Sequence, residues 1–153
     1  MKLFKLSKIL GLTTAFAISS QAALLIQENK ALAGTGTSIL YPGEYLFPNQ
    51  YLISPNRRYK LLQQSDGKFV LYDLSTPSKT RLWSSNTFNK PISYTVIQSD
   101  CNLVNYTYNG TALWASSSNG KGYNNCRLQV QDDGNLVIYR GNNVPVWQTG
   151  TYR

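Results

Sequence analysis

Histidine is absent from the chain, cysteine occurs twice, and the one methionine is the initiator. The first absence removes the usual base of Ser- and Cys-dependent acyl transfer and the commonest metal ligand. Two cysteines cannot supply the four ligands of a structural zinc site. Acids are also scarce, seven in 153 residues, and Asp66, Asp100 and Asp133 stand in turn-forming stretches far apart in sequence. Glycoside hydrolysis needs two carboxylates facing one bond, and no such pair is evident. These gaps argue against an enzyme and against a cofactor or metal, and leave binding as the function to explain.

Eleven Tyr and eleven Gly, with aromatics at 12%, suit short strands joined by turns better than a helical bundle. The N-terminus reads differently. Lys2, Lys5 and Lys8 precede the uncharged stretch Ile9 to Ile26, and small residues suited to cleavage follow at Ser20-Gln21-Ala22 and Ala31-Leu32-Ala33. Thr13, Thr14, Ser19, Ser20 and Gln21 dilute the apolar run too much for a membrane anchor. The expectation is a signal peptide over 1–33, cleaved after Ala33 or alternatively after Ala22. An exported domain follows over 34–153, extracellular or periplasmic, with no membrane span after cleavage. About 120 residues suffice for one hydrophobic core.

The formal charge of +8 is partly the leader's, which holds four of the fifteen bases. From Gly34 onward eleven bases face six acids, and only Arg57 and Arg58 are adjacent. Such scattered charge describes a solvated surface and gives no ground for a nucleic-acid partner. Export allows Cys101 and Cys126 to pair, and closing that loop stabilises by about 3 kcal/mol in the chain-entropy model.

One phrase occurs three times: Gln64-Ser65-Asp66-Gly67-Lys68-Phe69-Val70-Leu71-Tyr72, Gln98-Ser99-Asp100-Cys101-Asn102-Leu103-Val104-Asn105-Tyr106, and Gln131-Asp132-Asp133-Gly134-Asn135-Leu136-Val137-Ile138-Tyr139. Each is followed by a Trp in similar surroundings, Trp83, Trp114 and Trp147, which implies threefold pseudo-symmetry about a shared core. A straight strand from Gln131 to Tyr139 would span about 26 Å at about 3.3 Å per residue, too long for one sugar ring. A three-residue loop at Asp133-Gly134-Asn135, with Asn135 left-handed and Gln131 opposite Val137, instead brings the two ends together. Gln129, Gln131, Val137 and Tyr139 then face outward, and Leu128, Val130, Leu136 and Ile138 face the core. In the other copies Gln98, Val104 and Tyr106 oppose Ile97 and Leu103, and Gln64, Val70 and Tyr72 oppose Leu61, Phe69 and Leu71.

Each hairpin thereby groups an amide, a carboxylate, a second amide and a phenol around a Val. That set offers directional hydrogen bonds beside a small apolar surface, suited to the hydroxyls and C–H face of a neutral pyranose. Turn formation alone accounts for Asp-Gly-Asn, but not for Gln, Val and Tyr at fixed offsets three times over. Two sequons, Asn105-Tyr106-Thr107 and Asn109-Gly110-Thr111, permit glycosylation if the host performs it.

The pattern Gln-x-Asp-x-Asn-x-Val-x-Tyr resembles the signature of the bulb-type, monocot mannose-binding lectins. The resemblance covers residues 37–152, including the opening Ile39 to Leu46 and the closing Val146 to Thr151. It implies a β-prism II fold of three pseudo-threefold-related four-stranded antiparallel sheets. It also implies recognition of α-D-mannose or mannosylated glycans and polysaccharides, and homodimers that exchange C-terminal strands. By the same resemblance Asp100 and Asn102 meet the 2-hydroxyl, Gln98 the 3-hydroxyl and Tyr106 the 4-hydroxyl, with Val104 against the ring. Gln131, Asp133, Asn135, Val137 and Tyr139 do likewise. In the set Gln64, Asp66, Lys68, Val70 and Tyr72, Lys68 replaces the Asn and places a cation beside Asp66, which weakens the first site. Pairing of Cys101 with Cys126 is similar to the family's disulfide, one repeat later than in the plant members. An alternative on the same scaffold is a bacteriocin-like toxin that docks on surface polysaccharide.

Overall fold

A computed structural model describes residues 31–32, 36–120 and 125–153. The expected signal peptide therefore lies almost wholly outside the described residues. The described elements are strands: β1 (Ala31–Leu32), β2 (Ile39–Leu40), β3 (Glu44–Leu46), β4 (Tyr51–Ile53), β5 (Tyr59–Gln63), β6 (Phe69–Asp73), β7 (Thr80–Ser84), β8 (Ile92–Ile97), β9 (Leu103–Thr107), β10 (Ala112–Ala115), β11 (Arg127–Val130), β12 (Leu136–Arg140) and β13 (Val144–Gln148), with one short 3-10 turn at Gly141–Asn143.

They form three four-stranded antiparallel sheets, as expected of the β-prism II arrangement. The first runs β4-β5-β6-β7 and the second β3-β8-β9-β10, to which β1 adds a two-residue parallel strand beside β3. The third runs β2-β11-β12-β13, so a strand from early in the chain completes the last repeat through Leu40 opposite Leu128 and Ile39 opposite Gln129. That pairing ties the two ends of the domain together.

Alternation sorts the faces as the sequence predicts. Leu61, Phe69, Leu71, Ile97, Leu103, Leu128, Val130, Leu136 and Ile138 are fully buried in one core. Trp83, Trp114 and Trp147, one from the last strand of each sheet, meet edge to face with ring centres 5.2, 5.8 and 6.0 Å apart. Edge-to-face geometry sets the electropositive rim of one ring against the face of the next, worth about 0.5–1.5 kcal/mol per pair beyond the burial itself. The tryptophans thus hold the three sheets together and are not ligand platforms. Cys101 and Cys126 are joined as expected, with Cα atoms 5.6 Å apart.

The hairpin loop lies one residue earlier than expected, so each strand residue's partner changes by two. Gln131 N–H donates to the Asn135 carbonyl, Gly134 N–H donates to the Gln131 carbonyl, and Gln129 lies opposite Val137. The loop is therefore Asp132-Asp133-Gly134, and Gly134 takes the left-handed conformation (φ 86°) in place of Asn135. Glycine adopts that conformation at no steric cost, which frees Asn135 for the ladder. Gly67 and Cys101 occupy the same place in the other copies. At Gly67 the conformation is reinforced by crowding, since an added Cβ would lie 2.4 Å from the Lys90 carbonyl oxygen. The shift moves both strands together, so the sorting of side chains between faces is unchanged.

Candidate functional site

The three hairpin tips are built alike. In each, the aspartate accepts a hydrogen bond from the backbone N–H two residues on: Asp66 from Lys68 (3.1 Å), Asp100 from Asn102 (2.9 Å) and Asp133 from Asn135 (2.9 Å). One carboxylate oxygen is thus committed to the turn. In the second and third copies the other oxygen has no partner among the described residues. In the first, it accepts from Lys68 Nζ at 3.2 Å, and that ammonium also lies 4.2 Å from the Phe88 ring centre.

The glutamine and tyrosine meet as the faces require. Gln98 Nε2 donates to Tyr106 Oη at 2.9 Å, and Gln131 Nε2 to Tyr139 Oη at 2.7 Å. Each phenol therefore accepts from the amide and keeps its own proton to donate outward. The first copy lacks this bond, and Gln64 Oε1 is buried without a partner. The first copy thus departs from the others at Gln64 as well as at Lys68.

The valines do not match the expected exposed apolar patch. Val70, Val104 and Val137 are buried, at most 2% exposed, beneath the polar side chains around them. They form the floor of each site.

The asparagines carry a duty that sequence reasoning missed. Asn135 Oδ1 accepts from Thr149 Oγ1 and from the backbone N–H groups of Gly150 and Thr151. Asn102 Oδ1 likewise accepts from Ser116 Oγ and from Ser118 N–H. A pair of hydroxyls after each Trp completes the latch. Phe69, Leu103 and Leu136 donate their N–H groups to Ser85, Ser116 and Thr149, while Thr87, Ser118 and Thr151 donate to the carbonyls of Gly67, Cys101 and Gly134. The recurring Trp-x-Ser/Thr-x-Ser/Thr was the signal available in the sequence. Asn135 Nδ2 also donates to Gln148 Oε1 at 2.9 Å. Ala115 takes the corresponding place in the second copy and offers no acceptor, so the second site keeps its amide donor available.

Of the two sequons, Asn105 is wholly buried and Asn109 is exposed, so only Asn109 is presented to a glycosylating enzyme. Among the described residues no group of three or more Cys, Asp or Glu side chains is placed to hold a metal ion. The arrangement gathers hydrogen-bonding groups over an apolar floor and provides no nucleophile beside a base.

No family model matches the chain. The chain is similar to the mannose-specific lectin of Aloe arborescens, 36% identical over 119 residues that cover 76% of this chain and 99% of that protein. It is also similar to the B-type lectin plumieribetin of Scorpaena plumieri, 32% identical over 98 residues, covering 64% of this chain and 81% of that protein. Among solved structures it resembles the mannose-specific agglutinin of snowdrop (Galanthus nivalis) bulbs complexed with methyl-α-D-mannoside, with a TM-score of 0.60 and 32% identity over 76% of this chain and 98% of that one.

Proposed function

The chain belongs to the bulb-type mannose-binding lectins, a non-enzymatic family of carbohydrate-binding proteins, and on that premise we propose that it is an exported lectin for α-D-mannose and mannosylated glycans. The observation that carries the site assignment is the repeated geometry of the second and third hairpins. In both, the aspartate commits one carboxylate oxygen to the turn and leaves the other without a partner among the described residues, and the glutamine bonds a phenol that still has a proton to donate. Gln98, Asp100, Asn102, Val104 and Tyr106 form one site, and Gln131, Asp133, Asn135, Val137 and Tyr139 the other. The first hairpin is silent toward mannose, because Lys68 occupies Asp66 and Gln64 does not reach Tyr72. Export rests on the basic, then uncharged N-terminal stretch. Dimers would form by exchange of β13, which in the single chain completes its own sheet beside β12.

One shallow site of this kind binds a monosaccharide at about millimolar strength, near −4 kcal/mol. The test is a glycan array probed with the protein from Gly34 onward, with competition by free mannose. Mannose-competed binding to mannosylated glycans is expected, and Asp100→Ala with Asp133→Ala should abolish it while the melting transition persists. Binding that survives in the folded double variant would overturn the site assignment.

A further inference from the structure

The second sheet differs from the other two on its outer face, one register step beyond the mannose positions. There Tyr94 of β8 pairs with Tyr106 of β9, and Tyr45 of β3 pairs with Val96 of β8. The Tyr94 ring centre is 5.4 Å from that of Tyr106 and 5.4 Å from that of Tyr45, the latter contact edge-on at 70°. In the first sheet the corresponding positions are Lys60 and Tyr51, with Lys60 Nζ 3.8 Å from the Tyr51 ring centre. In the third they are Arg127 and Ile39, with the Arg127 guanidinium 4.8 Å from the Tyr139 ring centre. Where those sheets carry a long cation, the second carries a phenol ring.

The rings line a cleft of about 490 Å³ together with Gly43, Gln98 and Ser99. That volume falls in the range of roughly 300–1,000 Å³ found for small-molecule sites. Gln98 and Tyr106, hydrogen-bonded to each other, belong both to the proposed mannose site and to the lining of the cleft, whereas Asp100, Asn102 and Val104 do not line it. A group leaving the mannose position across that pair enters the cleft. Aromatic faces suit the C–H face of a pyranose, and the Gln98 amide oxygen, the Ser99 hydroxyl and the phenols suit its hydroxyls.

We propose that the second sheet carries an extended subsite, in which the sugar glycosidically linked to the bound mannose packs against Tyr45 and Tyr94, so that this repeat selects a disaccharide or longer mannoside. The subsite rests on the mannose reading above. The third sheet, with Arg127 at the matching position, takes a single terminal residue, and the first, with Lys60 there, has no mannose position to extend.

Amide-resolved NMR titration of the protein from Gly34 onward, with methyl α-mannoside and then with the α-1,2-, α-1,3- and α-1,6-linked mannobiosides, separates the two readings. The monosaccharide should shift Asp100 to Val104, whereas at least one mannobioside should also shift Gly43, Tyr45 and Ser99 and bind the second site about five- to tenfold more tightly. In Ser99→Trp, which fills the cleft from an exposed turn position, the disaccharide-to-monosaccharide affinity ratio at that site should fall to about one. A mannobioside that binds no tighter and leaves Gly43 to Tyr45 unmoved overturns the subsite and leaves the mannose reading intact. A preference that persists in Ser99→Trp overturns it too. If no mannoside shifts residues 98–106, the mannose reading itself fails and the subsite falls with it.

Discussion

At the scale of single residues, the strongest electrostatic commitment lies away from the hairpin tips. Asp73, at the end of β6, is buried and receives both Nε and Nη2 of Arg58, at 3.1 and 2.9 Å, as well as the Ser75 N–H. The bidentate hydrogen bond from Arg58 holds the Asp73 carboxyl well below the usual carboxylate range. A carboxylate depressed in the folded state contributes stability that is fully present above its unfolded pKa of about 3.9 and is lost as pH falls through the folded value. Asp73→Asn should therefore destabilise the domain at neutral pH yet flatten its response to acid. Tryptophan fluorescence during unfolding from pH 7 to pH 2 should show the wild-type advantage shrinking below about pH 4, and an advantage constant over that range would remove Asp73 from the account. Lys68, by contrast, is only a partly exposed partner of Asp66, and a pair of that kind is worth about 0–1 kcal/mol. Its importance lies in occupying an oxygen that the other two hairpins leave without a partner among the described residues.

At the scale of the element, each hairpin depends on the latch that follows its Trp. Thr149→Val keeps the volume but removes the acceptor of the Leu136 N–H and a donor to Asn135 Oδ1. Leaving that N–H unpaired should cost about 1–3 kcal/mol in urea unfolding. Because Asn135 loses a bond that fixes it, mannoside affinity at the third hairpin should fall as well. Ser85→Ala breaks the equivalent bond to Phe69 in the first repeat, where no asparagine is present to be released. It should lower stability without changing the number of mannoside sites counted by calorimetry. A Thr149→Val protein that loses stability but keeps full affinity would confine the latch to a structural role. The hairpins were legible in the sequence because alternation and the repeated phrase fix the faces. The exact register was not, since both Gly134 and Asn135 tolerate the left-handed turn and only the ladder decides between them. The latch stayed hidden because Ser and Thr after a Trp read as ordinary turn residues, and the burial of Val70, Val104 and Val137 depends on neighbouring strands that local pattern cannot rank.

At the scale of the whole molecule, the threefold arrangement places the two proposed sites on different sheets packed around one tryptophan core. On the proposed reading the domain is a pair of weak binders joined rigidly. Rigid separation on different faces favours bridging between two surfaces over chelation of one short glycan, and engaging both sites can raise avidity by about 10²–10⁴. The wild-type protein should therefore agglutinate mannan-bearing yeast cells, and free mannose should disperse them. Asp133→Ala should retain mannoside binding at the second hairpin with half the wild-type stoichiometry, and as a monomer it should no longer agglutinate. Size-exclusion chromatography at the assay concentration decides how the outcome is read. A monomeric single-site variant that still clumps cells would mean that the first hairpin binds despite Lys68. A dimeric one that does so would place the second valence in a partner chain, with exchange of β13 as the contact to break next.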